Sequence, residues 1–237
     1  MGLKIINHRK VAIIQSNYIP WKGYFDFIAS VDEFILFDDV QFTRRDWRNR
    51  NIIKTPQGPK WLTIPVLSKG NYNQKINEVI TENNDWTSVH WKTIALNYKR
   101  AKYYDEITQL LETLYSTHEN FLSEINFNFI SAICNYLKIK TKISRSSDYK
   151  IYEGKTNRLT NLCCQAGATE YVSGPAAKSY IEENLFTDIN IKVTFFEYAN
   201  YPEYLQLWGD FIHNVSIIDL LFNCGPNSHN YMTYTNE

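Results

Sequence analysis

The chain has 237 residues, of which 25 are basic and 25 acidic, and it holds 17 tyrosines, 13 phenylalanines and 6 tryptophans. This length suits one domain with a large packed core, and the balanced charge argues against a generic nucleic-acid binder, which carries a basic surface. No apolar run is as long as a membrane-spanning helix. The four cysteines lack the spacing of metal ligands, which favours reduced thiols and a cytoplasmic location.

The first part of the chain alternates between strand and helix patterns. The β-branched run VAIIQS predicts a buried strand, NYIPWKGYFDFIASV has apolar residues at helical spacing, and EFILFDDV predicts a second buried strand. Strand, helix and strand in this succession are typical of a βαβ unit with parallel strands. The segment KTPQGPKWLTIPV then predicts a hairpin, and KINEVIT predicts another short strand.

The middle of the chain is predicted to be helical, beginning at a capping Asp85. Alternation then returns, with a strand at KTKISRSS, a helix at TNRLTNLCCQAG and a strand at TEYVSG. PAAKSYIEEN predicts a helix with Pro175 in its first turn, and NIKVTFFEY predicts another strand. NVSIIDLLFNCG predicts a last helix capped by Asn214, and a loose polar tail follows at about residues 226–237.

These elements predict an α/β fold with a largely parallel, Rossmann-like sheet flanked by helices. We expect a single domain over residues 1–237, with a helical insertion at about residues 85–138. Ligands of such sheets bind outside the carboxyl ends of the strands, and polar clusters follow three of the predicted strands. These clusters are either ordinary surface loops or the wall of a cleft. The first cluster supplies Gln15, Asn17 and Tyr18 as candidate substrate-binding residues.

The second cluster, DDVQFTRRDWRNRN, holds half of the chain's eight arginines within seven positions. Guanidinium groups bind phosphate and carboxylate bidentately and do not lose their charge. We therefore predict that two or three of them converge on an anion, such as the diphosphate of a nucleotide sugar or of coenzyme A. The alternative is a surface network of ion pairs with the neighbouring aspartates. The candidate substrate-binding residues of this segment are Asp39, Gln41, Arg44, Arg45, Arg48, Asn49 and Arg50.

Two further groups of candidates flank the same edge. Trp21 has an aromatic face that stacks on a sugar or a base, and Gly23 allows close approach of a ligand. Core packing explains Trp21 equally well. Ser173 and Gly174 precede a predicted helix, whose free N–H groups attract anions, although a plain helix cap is the competing explanation.

Two buried carboxylates are candidates for proton transfer. Asp38 ends a buried strand, and side chains alternate along a strand, so we expect either Asp38 or Asp39 to face the cleft. This pair lacks the oxygen ligands that Mg²⁺ needs, so no metal site is predicted. Asp219 lies among apolar residues, where a carboxylate has either a committed partner or a raised pKa that suits a general base.

Seven motifs occur in a fixed order from about Val11 to Gly225: QSNYIPWKGYF, DDVQFTRRDWRNRN, WLTIPV, HWKTI, RSSDY, YVSGPAAKSY and SIIDLLFNCG. This ordered set resembles the WbqC-like protein family. Many members have His-Gln-Pro where this chain has Ile-Gln-Ser at residues 14–16, so no catalytic histidine is carried over to that place. The matching positions make Arg45 and Arg50 the favoured anion ligands, and the shared HWK makes His90 a third candidate for proton transfer.

The resemblance implies a cytoplasmic bacterial protein of O-antigen and surface-polysaccharide biosynthesis. The expected activity is acyl or aminoacyl transfer onto a nucleotide-activated amino sugar, with coenzyme A or an acyl carrier protein thioester as donor and no nucleic-acid partner. Two alternatives stay open: a nucleotidylyltransferase or ATP-dependent ligase that needs Mg·ATP, and a non-catalytic RNA-binding or scaffold protein that uses RRDWRNR as an arginine–aromatic patch. The oligomeric state is left open.

Overall fold

A five-stranded parallel sheet forms the centre of the computed structural model, which describes residues 8–234. The strands are β1 (Lys10–Ile14), β2 (Glu33–Leu36), β3 (Arg50–Thr55), β4 (Gly58–Thr63), β5 (Lys142–Arg145), β6 (Glu170–Ser173) and β7 (Lys192–Phe195). The order across the sheet is β5-β2-β1-β6-β7, and each neighbouring pair is parallel. The order reverses between β1 and β6, as in doubly wound α/β folds. The predicted fold class is confirmed.

Seven α-helices are present in the described residues. They are α1 (Lys22–Ala29), α2 (Asp85–Tyr98), α3 (Tyr104–Tyr115), α4 (Leu122–Tyr136), α5 (Lys155–Gln165), α6 (Glu183–Thr187) and α7 (Ile217–Cys224). Helices α2, α3 and α4 follow one another in the stretch that the sequence predicts to be helical. None of the helices within residues 8–234 combines the length with the apolar character that crossing a lipid bilayer requires.

The two faces of β1 pack against two separate hydrophobic cores, because successive side chains of a strand point to opposite faces. Val11 and Ile13 belong to a smaller core with Leu162 of α5 and Phe186 of α6. Ala12 belongs to a larger core, which contains buried side chains of α1, α2, α3, α4 and α7. The sheet therefore lies between two helical layers, and its edges are left for loops.

Strands β3 and β4 form a separate antiparallel hairpin, as predicted from the Pro-Gln-Gly-Pro turn. Gly58 has φ 102° at this turn, a conformation that a side chain disfavours. Ile53 and Leu62 are buried in the larger core, which holds the hairpin against the helices. The hairpin begins at Arg50, so it fixes the end of the arginine segment.

The segment KINEVIT is a 3₁₀ turn at Ile76–Glu78, and its prediction as a strand is wrong. The carboxylate of Glu78 accepts the backbone N–H of Lys75 at 2.8 Å, which closes the turn. The following residues make only isolated bridges, such as that between Ile80 and Phe121. Local hydrogen bonding therefore takes precedence over the β-branched pattern.

The helix predicted to begin at Pro175 is interrupted. Residues Pro175–Ser179 form a 3₁₀ helix, and α6 begins only at Glu183. Two predicted caps are also misplaced. Ser216 rather than Asn214 caps α7, since its Oγ accepts the N–H of Ile218 at 3.3 Å, and Asp85 is already the first residue of α2.

The polar tail is packed as far as the structure describes it, so the prediction of a loose tail is wrong for residues 226–234. Residues Gly225–Tyr231 form a 3₁₀ helix. The backbone N–H groups of Thr233 and Tyr234 donate to Asp26 Oδ1 at 3.0 and 2.6 Å. Asp26 is fully buried in α1, and these donors help to satisfy it. Residues 235–237, like residues 1–7, lie outside the described part of the chain.

Candidate functional site

A cleft of about 600 Å³ opens at the carboxyl edge of the sheet, where the strand order reverses between β1 and β6. Gln15 follows β1 on one side of the cleft, and Gly174 follows β6 on the other. The first turn of α5 closes the cleft, together with Phe37 and Val40 after β2. This position is the usual ligand site of doubly wound sheets. We call it the switch-point cleft.

Lys155 and Arg158 give the switch-point cleft its charge. Both lie in the first turn of α5, and its N-cap residue Gly154 provides no side chain for the first N–H groups. The lining residues include no aspartate or glutamate, and neither cation forms an ion pair with another residue of 8–234. The Arg158 Nε donates to the carbonyl of Tyr152 at 3.2 Å, which orients the guanidinium group. A helix N-terminus with two such cations attracts an anion.

The rest of the cleft wall is apolar and aromatic. Phe37, Leu159, Tyr171 and Tyr180 line it, together with aliphatic side chains of β1. Flat apolar walls bind planar rings, whereas the basic first turn of α5 binds negative charge. The switch-point cleft therefore suits a ligand that joins an anionic group to a planar or apolar moiety, as nucleotides do.

A second pocket, of about 260 Å³, lies beside the switch-point cleft. It is lined by Asn17, Pro20, Trp21, Trp47, Asn51 and Asn214. Gln15 of the cleft and Asn17 of this pocket are only two residues apart, which limits their Cα separation to about 7 Å. We call it the tryptophan pocket.

Arg48 connects the two cavities. Its guanidinium group donates to Asn17 Oδ1 and, at 2.7 Å, to Gln15 Oε1. The nearest carboxylate oxygen, on Asp46, lies 3.6 Å away. The carbonyl of Arg48 accepts from Asn126 Nδ2 at 2.9 Å, which anchors this residue to α4. Arg48 is therefore held in place between the cavities by two neutral amides and an ion pair with Asp46.

The other three arginines of the segment lie on the outer surface. Arg44 lies over the exposed ring of Tyr72, at 5.2 Å from its centroid. Arg50 lies 4.2 Å over the exposed ring of Trp61 and donates to the carbonyl of Arg45, which is itself exposed. The prediction that two or three guanidinium groups converge is wrong, because Arg45 is exposed and aromatic rings and loop carbonyls hold Arg44 and Arg50 outside the cleft.

Asp38 and Asp39 line neither cavity, so the expectation that one of them faces the cleft is wrong. Asp38 Oδ1 accepts the N–H of Ser16 at 2.9 Å, and burial raises the pKa of Asp38 to about 6. Asp39 accepts from Asn77 at 3.1 Å and from Ser146 at 2.5 Å. Both carboxylates face a cavity of about 30 Å³, the size of one water. Within the described residues, no three His, Cys, Asp or Glu side chains are placed to hold a metal.

His90 lies in the protein interior with both ring nitrogens engaged. Its Nε2 lies 3.2 Å from the carbonyl of Thr63 and its Nδ1 lies 2.9 Å from the hydroxyl of Tyr18. A carbonyl only accepts, so Nε2 carries the proton and Nδ1 accepts from Tyr18. Burial lowers the pKa of His90 to about 4. Tyr18 is fully buried and also bonds Tyr115 at 2.7 Å, so neither His90 nor Tyr18 reaches the cavities.

Asp219 is fully buried and has committed partners. The hydroxyls of Tyr98 and Tyr204 each donate to it at 2.8 Å. Burial raises the pKa of Asp219, and the two tyrosine hydroxyls oppose this rise. These contacts join α7 to α2 and to the segment that precedes α7. They match the structural role that the sequence offered as the alternative to a general base.

The three remaining candidates, Gly23, Asn49 and Gln41, line neither cavity. A Cβ on Gly23 would meet Trp21 Cζ2 at 2.3 Å, so the glycine makes room for this indole and not for a substrate. Asn49 is buried and donates to a backbone carbonyl at 2.8 Å. Gln41 is exposed and donates to the carbonyl of Tyr72 at 2.7 Å.

The structure thus places six of the predicted residues at the two cavities: Gln15, Ser173 and Gly174 in the cleft, Asn17 and Trp21 in the pocket, and Arg48 between them. The sequence reasoning missed Lys155, Arg158, Trp47 and Asn214. A signal for the first two was present, because cations in a first helical turn oppose the helix dipole and therefore indicate an anion.

Comparisons with known proteins agree with the family resemblance. The model of the WbqC-like protein family matches residues 15–231, which include the whole tryptophan pocket and all of the switch-point cleft except Ile13 and Ile14. The Uncharacterized protein Rv1507c of Mycobacterium tuberculosis (strain ATCC 25618 / H37Rv) is 52% identical over 231 residues, covering 97% of this chain and 100% of that protein. No solved structure matches the chain. The chain belongs to the WbqC-like protein family.

Proposed function

We propose that the chain is a cytoplasmic transferase of surface-polysaccharide biosynthesis, which binds a nucleotide-activated amino sugar and acylates its amine. The observation that carries this proposal is the switch-point cleft, where two cations at a helix N-terminus face a cavity that no carboxylate of residues 8–234 lines. Doubly wound folds bind nucleotides at this position. The role in surface-polysaccharide biosynthesis is the one that the family resemblance implies.

The charge of the cleft supports a nucleoside diphosphate. Two adjacent phosphates place several negative charges in a small volume, and Lys155, Arg158 and the first N–H groups of α5 are donors for them. A hydrogen bond to a charged group contributes about 1.5–3 kcal/mol. Loss of the Arg158 guanidinium therefore weakens binding by about 10- to 100-fold.

The proposed reaction is attack of the neutral sugar amine on the carbonyl of a thioester. A C–N bond forms, the C–S bond breaks, and the departing thiolate takes up the proton that the amine loses. Coenzyme A itself carries a nucleoside diphosphate and would compete for the same cleft. A thioester on an acyl carrier protein therefore suits a cleft that already holds the nucleotide sugar.

The general base of this reaction is not assigned. Asp38, Asp219 and His90 stay predictions as proton-transfer residues, and none of them lines the cleft or the tryptophan pocket. Their buried hydrogen bonds favour a structural role for each. Of the three, Asp38 has the most direct connection to the cleft, because it accepts the backbone N–H of Ser16, the residue that follows Gln15.

Isothermal titration calorimetry with UDP-, dTDP-, GDP- and CDP-sugars, coenzyme A and Mg·ATP tests the proposal. We expect a nucleotide sugar to bind without Mg²⁺, and Arg158→Met to weaken it at least tenfold. Lys140→Met is the matched control, since Lys140 is an exposed cation that precedes β5 at the opposite edge of the sheet. Binding of Mg·ATP alone would instead support the ligase or nucleotidylyltransferase alternative. No binding by any nucleotide sugar would refute the proposal.

One observation favours a second candidate, a polynucleotide-binding or scaffold protein. The exposed Arg44 and Arg45 and the half-buried Arg50 lie on the outer surface with the exposed rings of Trp61 and Tyr72. Arginine and aromatic side chains of this kind bind single-stranded nucleic acid, with strongly salt-dependent affinity. Titration of a fluorescent oligouridylate between 50 and 200 mM salt, about the range over which such affinities fall steeply, separates this candidate from the transferase.

A further inference from the structure

We infer that the tryptophan pocket is the subsite for one monosaccharide ring, the amino sugar of the nucleotide-activated substrate. This inference deepens the proposed function and rests on it. It gives a role to Trp47 and Asn51, which belong to the segment DDVQFTRRDWRNRN whose arginines mostly lie outside the cleft. The pocket's size, its lining and its position relative to the cleft each support the assignment.

The size of the pocket fits one sugar ring. Its volume of about 260 Å³ corresponds to roughly nine waters at about 30 Å³ each. A pocket of this volume lies below the usual range for drug-sized ligands, about 300–1,000 Å³. It therefore holds a single monosaccharide, and the nucleoside part of the substrate requires the larger cleft.

Two indole rings provide the stacking surface. Trp21 is half-buried and is held by the rings of Tyr198 and Tyr201, with centroids at 5.4 and 5.6 Å. Trp47 comes from a different segment, is 41% exposed, and lies 5.3 Å from Trp61. Pyranose rings have apolar C–H faces that pack on such rings, while their hydroxyls stay free for hydrogen bonds. The braced indoles favour a sugar over a phosphate.

The polar atoms of the pocket are neutral amides. Asn17 Oδ1 accepts from Arg48, which orients the amide and leaves its Nδ2 as a donor. Asn214 is exposed at the pocket rim. Asn51 uses its Nδ2 on the carbonyls of Tyr18 and Ile19, both at 3.0 Å, so it holds the wall instead of reading a ligand. None of the described residues that line this pocket is charged, in contrast to the switch-point cleft.

The position of Arg48 joins the two cavities into one elongated site. Its guanidinium group contacts both Gln15 of the cleft and Asn17 of the pocket, and it has five N–H donors in total. A nucleotide sugar has its diphosphate between the nucleoside and the sugar. With the nucleoside and the diphosphate in the cleft and the sugar in the pocket, Arg48 lies beside the bond between the diphosphate and the sugar.

The test compares the affinity of a nucleoside diphosphate with that of its hexosamine conjugate, using UDP and UDP-N-acetylglucosamine and the dTDP and dTDP-glucosamine pair. We expect the sugar to improve affinity about tenfold, the upper range for one aromatic contact. Trp47→Ala and Asn214→Ala should remove this gain without changing the affinity for UDP or dTDP. Trp47→Phe should retain it. Tyr72→Ala is the control, because Tyr72 is a more exposed aromatic residue outside the pocket.

A second arm uses saturation-transfer NMR with free glucosamine and N-acetylglucosamine. We expect signals from the ring protons that disappear in Trp47→Ala and persist when UDP is added. Equal affinities for UDP and its conjugate, or a sugar gain that Trp47→Ala leaves intact, would overturn the subsite and leave the proposed function standing. Failure of every nucleoside diphosphate to bind refutes the proposed function. In that case, free-hexosamine signals that Trp47→Ala removes support the subsite, and the absence of such signals overturns it.

Discussion

Asp38→Asn tests whether ionisation of the buried Asp38 carboxylate lowers the free energy of unfolding. Burial raises the pKa of Asp38 from 3.8 to about 6, although the hydrogen bond from the Ser16 backbone opposes this rise. The folded state therefore binds the proton more tightly than the unfolded state, and stability falls as pH rises from 3.8 through 6. At 1.36 kcal/mol per pKa unit, ionisation costs about 3 kcal/mol of folding free energy, of which about 2 kcal/mol arises between pH 4.5 and 7.5.

The asparagine variant avoids this cost and keeps an Oδ1 to accept from Ser16. Urea unfolding at pH 4.5 and 7.5 should therefore show its stability relative to the wild type rising by about 2 kcal/mol across this range. Asp188→Asn is the control, because it removes the same charge from an exposed side chain and should shift by less than about 0.5 kcal/mol. If the variant is equally or more destabilised at pH 7.5 than at pH 4.5, ionised Asp38 does not destabilise the fold.

Three further predictions concern single residues. Arg48→Lys should weaken nucleotide-sugar binding about tenfold in calorimetry, because one ammonium group cannot reproduce the fork that bonds both Gln15 and Asn17; unchanged affinity would contradict the bridge. Gly174→Val should fold normally, since Gly174 has φ −70° and space for a Cβ. The variant should lose nucleotide binding, because the added side chain fills the cleft. Retained binding would show that the nucleotide does not bind beside Gly174. Because the pKa of His90 is lowered to about 4, the wild type should lose up to ~3 kcal/mol of stability as pH falls from 6.5 through 4. Urea unfolding of His90→Gln should not show this loss. The same pH dependence in the variant and the wild type would contradict the prediction.

Much of the fold was predictable because its core strands are short β-branched runs. The segment VAIIQS contains most of β1, EFILFDDV contains β2, and the helix pattern between them contains α1. Errors arose where side chains satisfy nearby backbone groups, as Glu78 does at KINEVIT. The packed tail was missed because its attachment depends on Asp26, which is distant in sequence.

The candidate site was predictable in its location more than in its residues. The carboxyl edge of the sheet follows from the parallel pattern, so Gln15 and Gly174 were placed correctly. The direction of each arginine was not predictable, because it depends on rings such as Trp61 and Tyr72 that come from other segments. A cluster of like charges in sequence therefore gave no information on convergence in space.

A crystal structure with the tightest-binding nucleotide sugar would show where the substrate lies. We expect electron density for the diphosphate at the first turn of α5, within hydrogen-bond distance of Arg158 or Lys155, and for the sugar between Trp21 and Trp47. Density on the outer face formed by Arg44, Arg45 and Arg50, with an empty cleft between β1 and β6, would contradict this placement.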